Sequence, residues 1–475
     1  MQYSVVNFKD VNINFDKRID AEYFKPEYLN VENIIETKNW DLLVNISNVK
    51  GGKRLPIGEI FLDEGISYIR AEDIKNGFVE YIDSPKISLK LHEELKAYQT
   101  KLNDVLITIV GNSIGDIGIV KFQLEKCNLT ENCAKIVTSK NIIPDYLFVF
   151  LLSKFGQNQI HREKVGTAQP KLALIRIRSF KIPILYNNFQ NLIKNIVEFS
   201  FIRQELSKQL YQQAEKLFLE ELNLYNWNST HQLSYIKNFS DTEDAKRIDA
   251  EYFQPKYEEI IKAVKEYNNG WDNFGDIVSI KKCIEVGSDT YKEEGIPFVR
   301  VSNLNKFEIN ENNQQYISED YYKELAENFQ PKKGEILLSK DGTAGLAYHI
   351  NSEPKKMIPC GGILRLKVIN KEYLPEYLTL VLNSLIVQEQ IERVSSGALI
   401  KHWLVDQINN TVIPKLDIEK QKEIVSKIQE SFKCREQSKQ LLEIAKLGVE
   451  KAIEENEETA TNWINQELLR LDIKL

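Results

Sequence analysis

Arg18-Ile19-Asp20-Ala21-Glu22-Tyr23-Phe24, followed by Lys25-Pro26-Glu27-Tyr28, returns in the same chain as Arg247-Ile248-Asp249-Ala250-Glu251-Tyr252-Phe253, followed by Gln254-Pro255-Lys256-Tyr257. A match in order as well as in composition marks a tandem duplication, so the two halves are read against each other before anything else. The alignment continues almost without gaps. Gly65 to Arg70 aligns with Gly295 to Arg300, and Asp104 to Thr108 with Glu335 to Ser339, each of the latter before a glycine-bearing turn (Gly111 to Gly115, Gly342 to Gly345). These stretches predict strand, turn, strand in both copies. Pro144 to Leu147 aligns with Pro375 to Leu378, with proline at the first helical position of helices predicted to reach about Ile160 and Ile391. Gly166 then matches Gly397, and Ile182-Pro183 matches Ile413-Pro414.

After those prolines each copy becomes a long helix. Leu192, Ile196, Phe199, Arg203, Leu206, Leu210, Gln213 and Leu217 recur at alternating steps of four and three, as do Ile424, Ile428, Ser431, Arg435, Ser438, Leu442, Ala445 and Val449. That stepping is the seam of a coiled coil, and its polar interruptions favour two helices that pair with each other. An antiparallel pairing would suit two similar halves in one chain. The other reading of such short heptads is two core helices, each lying on its own globular domain. The domain plan is residues 1–187, a globular domain; 188–225, a long helix; 226–242, a linker rich in Asn, Ser and Thr; 243–418, a second globular domain; and 419–472, a second long helix. The repeated motif, with Pro26 and Pro255 at the start of a following helix, is expected to seat each domain on this helical scaffold.

Length and composition agree with several globular units: 475 residues, 42% hydrophobic and 28% charged, neither disordered nor fibrous. The first ten residues carry no signal-peptide pattern, and the longest apolar run, Tyr146 to Leu152, is too short to cross a bilayer, so a cytoplasmic location is expected. Five cysteines form no Cys-x-x-Cys pair and lack histidines at ligand spacing, which predicts free thiols and no metal site. A net charge of −7 argues against a free-standing, non-specific nucleic-acid binder but leaves room for local basic patches.

Catalytic motifs are missing from the sequence. It has no Gly-x-Gly-x-x-Gly after a strand, no phosphate loop, no His-Glu-x-x-His, no Asn/Asp-Pro-Pro-Tyr/Phe tetrapeptide and no Pro-Asp before a Glu-x-Lys triplet; its five histidines are scattered. The features that remain suit DNA. Lys53 and Arg54 follow Gly51-Gly52, and Lys282 lies shortly before Ser288, Asp289 and Tyr291. Arg70 and Arg300 end matched strands, with Lys75 and Asn303 soon after them. Asn112 and Ser113 occupy the turn whose counterpart holds Lys340, Asp341 and Thr343, while Lys171 and the pair Lys401-His402 follow the matched glycines. Loop cations can hold phosphates, and Arg, Asn, Asp and Thr can reach base edges in the major groove, although any one of them could equally be a solvated charge. Gly51 to Gly58 has little in common with Lys281 to Ser288, so two reading surfaces would read different sequences.

Taken together, the repeated Arg-Ile-Asp-Ala-Glu-Tyr-Phe motif, Ile296 to Asn303, Gly334 to Gly342, Gly166 to Leu172, and Ile413 to Leu416 leading into Glu419 to Val425 resemble the specificity subunit of type I restriction-modification systems. One departure is Tyr186 to Phe189, where the family has a proline-rich step into a Glu-Gln pair; this weakens the start of the first long helix. The resemblance implies an α+β fold with a pseudo-twofold internal repeat, two tandem target recognition domains separated by two long antiparallel coiled-coil helices. It implies a non-catalytic chain that binds no cofactor itself. Each domain would read one half of an asymmetric bipartite target in double-stranded DNA, and the helices would set the spacer. The implied partners are two methyltransferase subunits and restriction/translocase subunits, which would bring S-adenosylmethionine, ATP and Mg. The rival readings are a specificity chain of a type II-like methylating system and a duplicated coiled-coil adaptor that binds protein.

Overall fold

The computed structural model describes residues 4–13, 17–81, 84–121, 126–139, 141–166, 170–228, 230–311, 313–395 and 401–474. Thr167 to Gln169 and the matched Gly397 lie outside them, and of Lys401 only the backbone is described. The chain divides into two units, Met1–Glu205 with Cys434–Leu475, and Leu206–Lys433. The architecture is α+β and is built twice.

In the first unit a four-stranded antiparallel sheet runs in the order Ser47–Gly51, Cys133–Thr138, Val105–Thr108, Ile117–Ile119. Val105–Thr108 is buried along its whole length, so its apolar run shows no alternation: both faces of the sheet are covered there. A smaller mixed sheet, Lys86–Ile87, Ile66–Ile69, Cys127–Leu129, lies beside it in sequence and supplies separate apolar clusters. The second unit repeats both: Val278–Lys282, Ile363–Val368, Ile336–Ser339, Ala347–His349, and Gln315–Ile317, Ile296–Val299, Ile358–Pro359.

The helices Pro144–Leu152 and Pro375–Asn383 begin at their prolines and are almost wholly buried. The first turn of each is tied by the same contact. Tyr146 Oη donates to Pro183 O at 2.7 Å and Tyr377 Oη to Pro414 O at 2.9 Å. The predicted continuation to Ile160 and Ile391 is interrupted: Ser153 and Ser384 leave the helical conformation, and new helices run over Lys154–Glu163 and Leu385–Val394. At the end of the first helix Ser153 both stops one segment and caps the next through its hydroxyl.

The long helices span Asn187–Glu221 and Ile418–Glu454. The departure at Tyr186 to Phe189 is compensated by Gln190, whose side-chain oxygen accepts from Ile143 N at 2.9 Å while its nitrogen donates to Leu185 O at 2.9 Å. Gln421 repeats this with Leu374 N at 2.9 Å and Leu416 O at 2.8 Å. A buried amide that satisfies two orphan backbone groups sets where each helix starts.

Within each unit the helix segments pair antiparallel. In the first, Ser200 Oγ donates to Ser438 O at 2.8 Å; in the second, Ser431 Oγ donates to Ser207 O at 2.7 Å. The two contacts are the same contact under the repeat, since Ser200 aligns with Ser431 and Ser207 with Ser438. The buried line of the second helix follows the predicted seam, with Ile424, Ile428, Ser431, Ser438, Leu442, Ala445 and Val449 all buried. The first seam is corrected by one residue: the buried line is Ile193, Val197, Ser200, Gln204, Ser207, Tyr211, Ala214 and Phe218, and of the predicted Leu192 series only Ile196 and Leu210 are buried beside it. Small polar residues sit where these helix segments touch, and each buried hydroxyl is satisfied by a backbone carbonyl.

Three further differences from expectation follow from local chemistry. The second helix does not run on to 472. It stops at Glu454, and Asn456 caps a separate helix, Glu457–Arg470, whose Ala460, Ile464 and Leu468 pack into the first unit's core. The predicted linker ends inside a short helix, Phe239–Ala245, opened by Asn238 and Asp241, which crosses the expected boundary at 242. The repeated motif does not sit on the long helices. Arg162 stacks 4.2 Å from the Tyr23 ring centroid and donates to Tyr23 O at 3.0 Å, and Arg393 repeats both contacts with Tyr252 at 4.6 and 3.2 Å. The motif therefore clasps the helix Lys154–Glu163 or Leu385–Val394 of its own domain.

Candidate nucleic-acid interface

The predicted residues converge on one end of each four-stranded sheet. In the first unit Ser47–Gly51 ends where Cys133–Thr138 begins, and Val105–Thr108 ends where Ile117–Ile119 begins. Three backbone bonds gather the loops there. Lys53 N donates to Leu129 O at 2.9 Å, Thr130 N to Ile69 O at 3.0 Å, and Ile109 N to Asn132 O at 2.8 Å. Leu172 N donates to Ile109 O at 2.9 Å, and Lys171 bridges Val110 and Val165, which brings the loop after Gly166 alongside. Gly111 turns at φ +103°, a conformation that side chains resist.

Lys53, Arg54, Arg70, Asn112, Ser113 and Lys171 thus share one rim. Arg54 is 82% exposed and pairs with Glu131 at 2.7 Å. Arg70 is half-buried, held by Glu72 and by Asp73 at 3.2 Å, and Asp73 also closes the turn by accepting from Arg70 N at 2.8 Å. Lys171 and Asn112 are exposed, and Ser113 is half-buried. Lys75 stands apart in a two-residue strand but lies within electrostatic reach of Asp116, whose carboxyl is pushed up by burial against the pull of Lys164 and Lys75.

The second unit builds the same end from different side chains. Asp341–Gly342 pairs with Lys401–His402, the position where the first unit has Val110 opposite Lys171. His402 Nδ1 lies 2.8 Å from Asp341 Oδ1, and Lys340 Nζ pairs with the other carboxylate oxygen. Cys360 N donates to Val299 O at 2.9 Å, which sets the Gly361-Gly362 turn beside Arg300. A Cβ at Gly362 would stand 3.0 Å from Val301, and one at Gly361 would meet Glu285 at 2.7 Å, so this turn carries backbone where the first unit carries the side chains of Glu131 and Asn132. Glu285 in turn occupies the place of Arg54, reversing the charge.

Among the remaining predicted residues, Lys282 is exposed at the end of its strand, and Ser288 and Asp289 lie exposed in a short 3-10 turn. Tyr291 is half-buried, its ring 5.8 Å from Phe298. Arg300 donates from Nη2 to Asn313 O, and its buried Nε has no hydrogen-bond partner among the described residues. Asn303 is fully buried. Its side-chain oxygen accepts from Arg300 N at 3.1 Å and its nitrogen donates to Asn310 O at 3.2 Å, so it shapes the loop rather than its surface. Thr343 is exposed at the tip of the turn. Sequence reasoning passed over Glu131, Asn132, Glu285 and the Gly361-Gly362 turn; aligning the copies at the start of Cys133–Thr138 and Ile363–Val368 would have set these unlike residues against each other.

The profile described as type I restriction modification DNA specificity domain matches the chain twice, over residues 40–216 and 268–446. The specificity subunit of the type I restriction enzyme EcoBI of Escherichia coli is 32% identical over 124 residues, 26% of this chain and 26% of that subunit. The match thus spans about a quarter of that relative's length. Among solved structures, the S subunit of a type I restriction-modification system from M. genitalium shares 14% identity over 92% of this chain and 97% of its own, with a TM-score of 0.37. The HsdS subunit from Thermoanaerobacter tengcongensis shares 15% over 88% and 97%, with a TM-score of 0.29.

Proposed function

Since this chain belongs to the type I restriction modification DNA specificity family, we propose that it is the non-catalytic, DNA-reading subunit of a type I restriction-modification complex. Each repeat reads one half of an asymmetric bipartite site with the gathered end of its four-stranded sheet, and the paired helices set the spacer. The chain directs adenine methylation by methyltransferase subunits that bring S-adenosylmethionine, and restriction by translocating subunits that use ATP and Mg.

One observation carries this reading: two ends with the same backbone plan present unlike side chains. Val110 and Lys171 stand where the other unit has Asp341 and His402, and Arg54 with Glu131 stands where it has Glu285 beside Gly361. A carboxylate can accept from cytosine N4, lysine and arginine can donate to guanine, and exposed cations hold the backbone. Phosphate contacts made locally by Lys53, Arg54, Lys75, Lys171 and Lys282 are compatible with a chain of net charge −7, because counterion release depends on the phosphates neutralised.

The experiment is to map methylated adenines across a host genome with and without this gene, then with residues 40–187 exchanged for those of a relative. The expected result is a bipartite motif that depends on the gene, with one half changed by the exchange and the other retained. Changes in both halves would refute independent reading, and loss of no motif would refute the assignment.

A further inference from the structure

In each unit the smaller mixed sheet belongs to a lobe that packs on apolar clusters of its own. Among the described residues from 52 to 104, only Phe78 leaves those clusters to enter the large core shared with the long helices. Among those from 283 to 335, only Phe307 packs against the corresponding core of the second unit.

The two phenylalanines come from adjacent positions of the same turn and fill the same socket. When Arg70 is set against Arg300, Gly77 falls opposite Phe307 and Phe78 opposite Glu308. In the first unit the Phe78 ring stands 4.9 Å from Phe201, and a Cβ at Gly77 would stand 3.2 Å from both Leu442 and Phe148. In the second unit the Phe307 ring stands 4.8 Å from Tyr211 and 5.9 Å from Phe432. Under the repeat Tyr211 matches Leu442 and Phe432 matches Phe201, while Thr379 takes the place of Phe148. Lys306 adds a cation 4.7 Å from the Tyr211 ring centroid and pairs with Glu215 at 3.7 Å. The socket draws one wall from each long helix, and the lobe fills it in both units although the residue that does so has moved. An incidental contact would not be rebuilt from a neighbouring position, whereas a joint would.

The turn is braced to the reading end by the same pair of bonds in each unit. Arg70 N donates to Asp73 Oδ2 at 2.8 Å, and Glu80 N donates to Asp73 O at 2.8 Å. Arg300 N donates to Asn303 Oδ1 at 3.1 Å, and Asn310 N donates to Asn303 O at 2.8 Å. We propose that Phe78 and Phe307 are positioning residues that lock the lobe carrying Arg70 or Arg300 to the helix pair, so that spacer length is discriminated through these joints and not by helix length alone. The inference rests on the restriction-modification reading. Spacers that differ by one base pair differ by about 3.4 Å, close to the contact distance of two carbon atoms, about 3.5–4.0 Å. Removing one ring from the joint opens a gap of the size that decides a base pair.

The test measures methylation by the full chain with its partner methyltransferase on plasmids whose half-sites are constant and whose spacers have the native length, one base pair less or one more. Phe307→Ala should lower the preference for the native spacer roughly fivefold or more, with the half-site bases unchanged. Phe307→Tyr keeps the ring and should retain the wild-type preference. Leu325→Ala, which hollows the lobe's own cluster, should lower the melting temperature and leave spacer preference intact. Phe307→Leu repeats the test with a smaller expected loss, so that an alanine chain without a cooperative melt still leaves a reading. Native preference kept by both Phe307→Ala and Phe307→Leu overturns the proposal and leaves the function standing, as does an equal loss of preference in Leu325→Ala. A wild-type chain that directs methylation of no bipartite site overturns the functional reading, and this inference with it.

Discussion

Asp341→Asn is the sharpest probe of the second reading end. The carboxylate uses one oxygen for His402 at 2.8 Å and the other for Lys340, and it remains about a quarter exposed, with lone pairs still available to a base. Asparagine keeps the shape and replaces one acceptor by a donor, so a base amino group that Asp341 accepts from would meet an N–H instead. A well-placed side-chain to base contact discriminates by about 1–3 kcal/mol, a factor of roughly five to a hundred and fifty in affinity. The loss should fall on one position of one half-site. Methylation mapping of a plasmid library randomised over both halves, with the partner methyltransferase present, reads the result directly. The expected outcome is relaxation or exchange of a single base in the half read by the second domain, with the other half unchanged. His402→Gln should shift the same position, because it frees the oxygen that His402 engages. A uniform fall in methylation over all sequences would place Asp341 outside base contact, and a change in the other half would refute the assignment of this end to one half-site.

Deleting Ile202–Lys208 together with Lys433–Lys439 removes one heptad from each long helix and sets Ser200 against Ser431; at about 1.5 Å per residue this removes about 10 Å, and the spacer of the methylated site should shorten by about three base pairs. An unchanged spacer would refute the helices as its ruler. Arg365→Met should lower stability by about 3–5 kcal/mol in denaturant unfolding, since it strands Glu335, whose two oxygens accept from Arg365 at 2.9 and 3.0 Å in a buried setting. The double variant Arg365→Met, Glu335→Leu should recover most of that loss, and an additive double would refute coupling. The hydrogen bonds from Arg18 and Arg247 hold the Asp20 and Asp249 carboxyls below the usual carboxylate range. Their stabilisation is therefore complete above about pH 4, the unfolded value, and is lost as pH falls through the depressed native values. Asp20→Asn should cost stability at pH 7 and less at pH 3, and an NMR titration placing Asp20 at or above about 3.9 would contradict this.

The repeat made most of the fold legible, because an alignment of two copies carries information that neither copy carries alone. It fixed the strand, turn, strand segments, the proline-started helices and the second seam. The first seam went wrong where large apolar residues misled. Leu192, Phe199 and Leu206 looked like the core face, while the true face uses Ser200, Gln204, Ser207 and Ala214, whose burial depends on a neighbouring helix that a hydropathy pattern does not contain. Carrying the second seam back through the alignment gives the correct line. Breaks at Ser153 and Asn456 are local capping events inside otherwise helical sequence. The motif was misplaced because repetition reports kinship, and the arginines that clasp it, Arg162 and Arg393, lie far along the chain.

At the reading ends, sequence found the cations and missed their counterparts. Arg54 was visible beside Gly52, but Glu131, which engages it, comes from a turn distant in sequence, and Asn303 gave no sign that its amide would be consumed inside a loop. Comparison within the chain separates three kinds of position. Residues that are buried and alike, such as Gln190 and Gln421, are explained by the bonds they make in both units. Residues that are exposed and unlike, at one shared backbone position, are what two readers of different half-sites require, because a folding constraint would not distinguish Arg54 from Glu285. Residues that are exposed and alike, Ile19 and Ile248, form the third class, which neither burial among the described residues nor a difference in target explains.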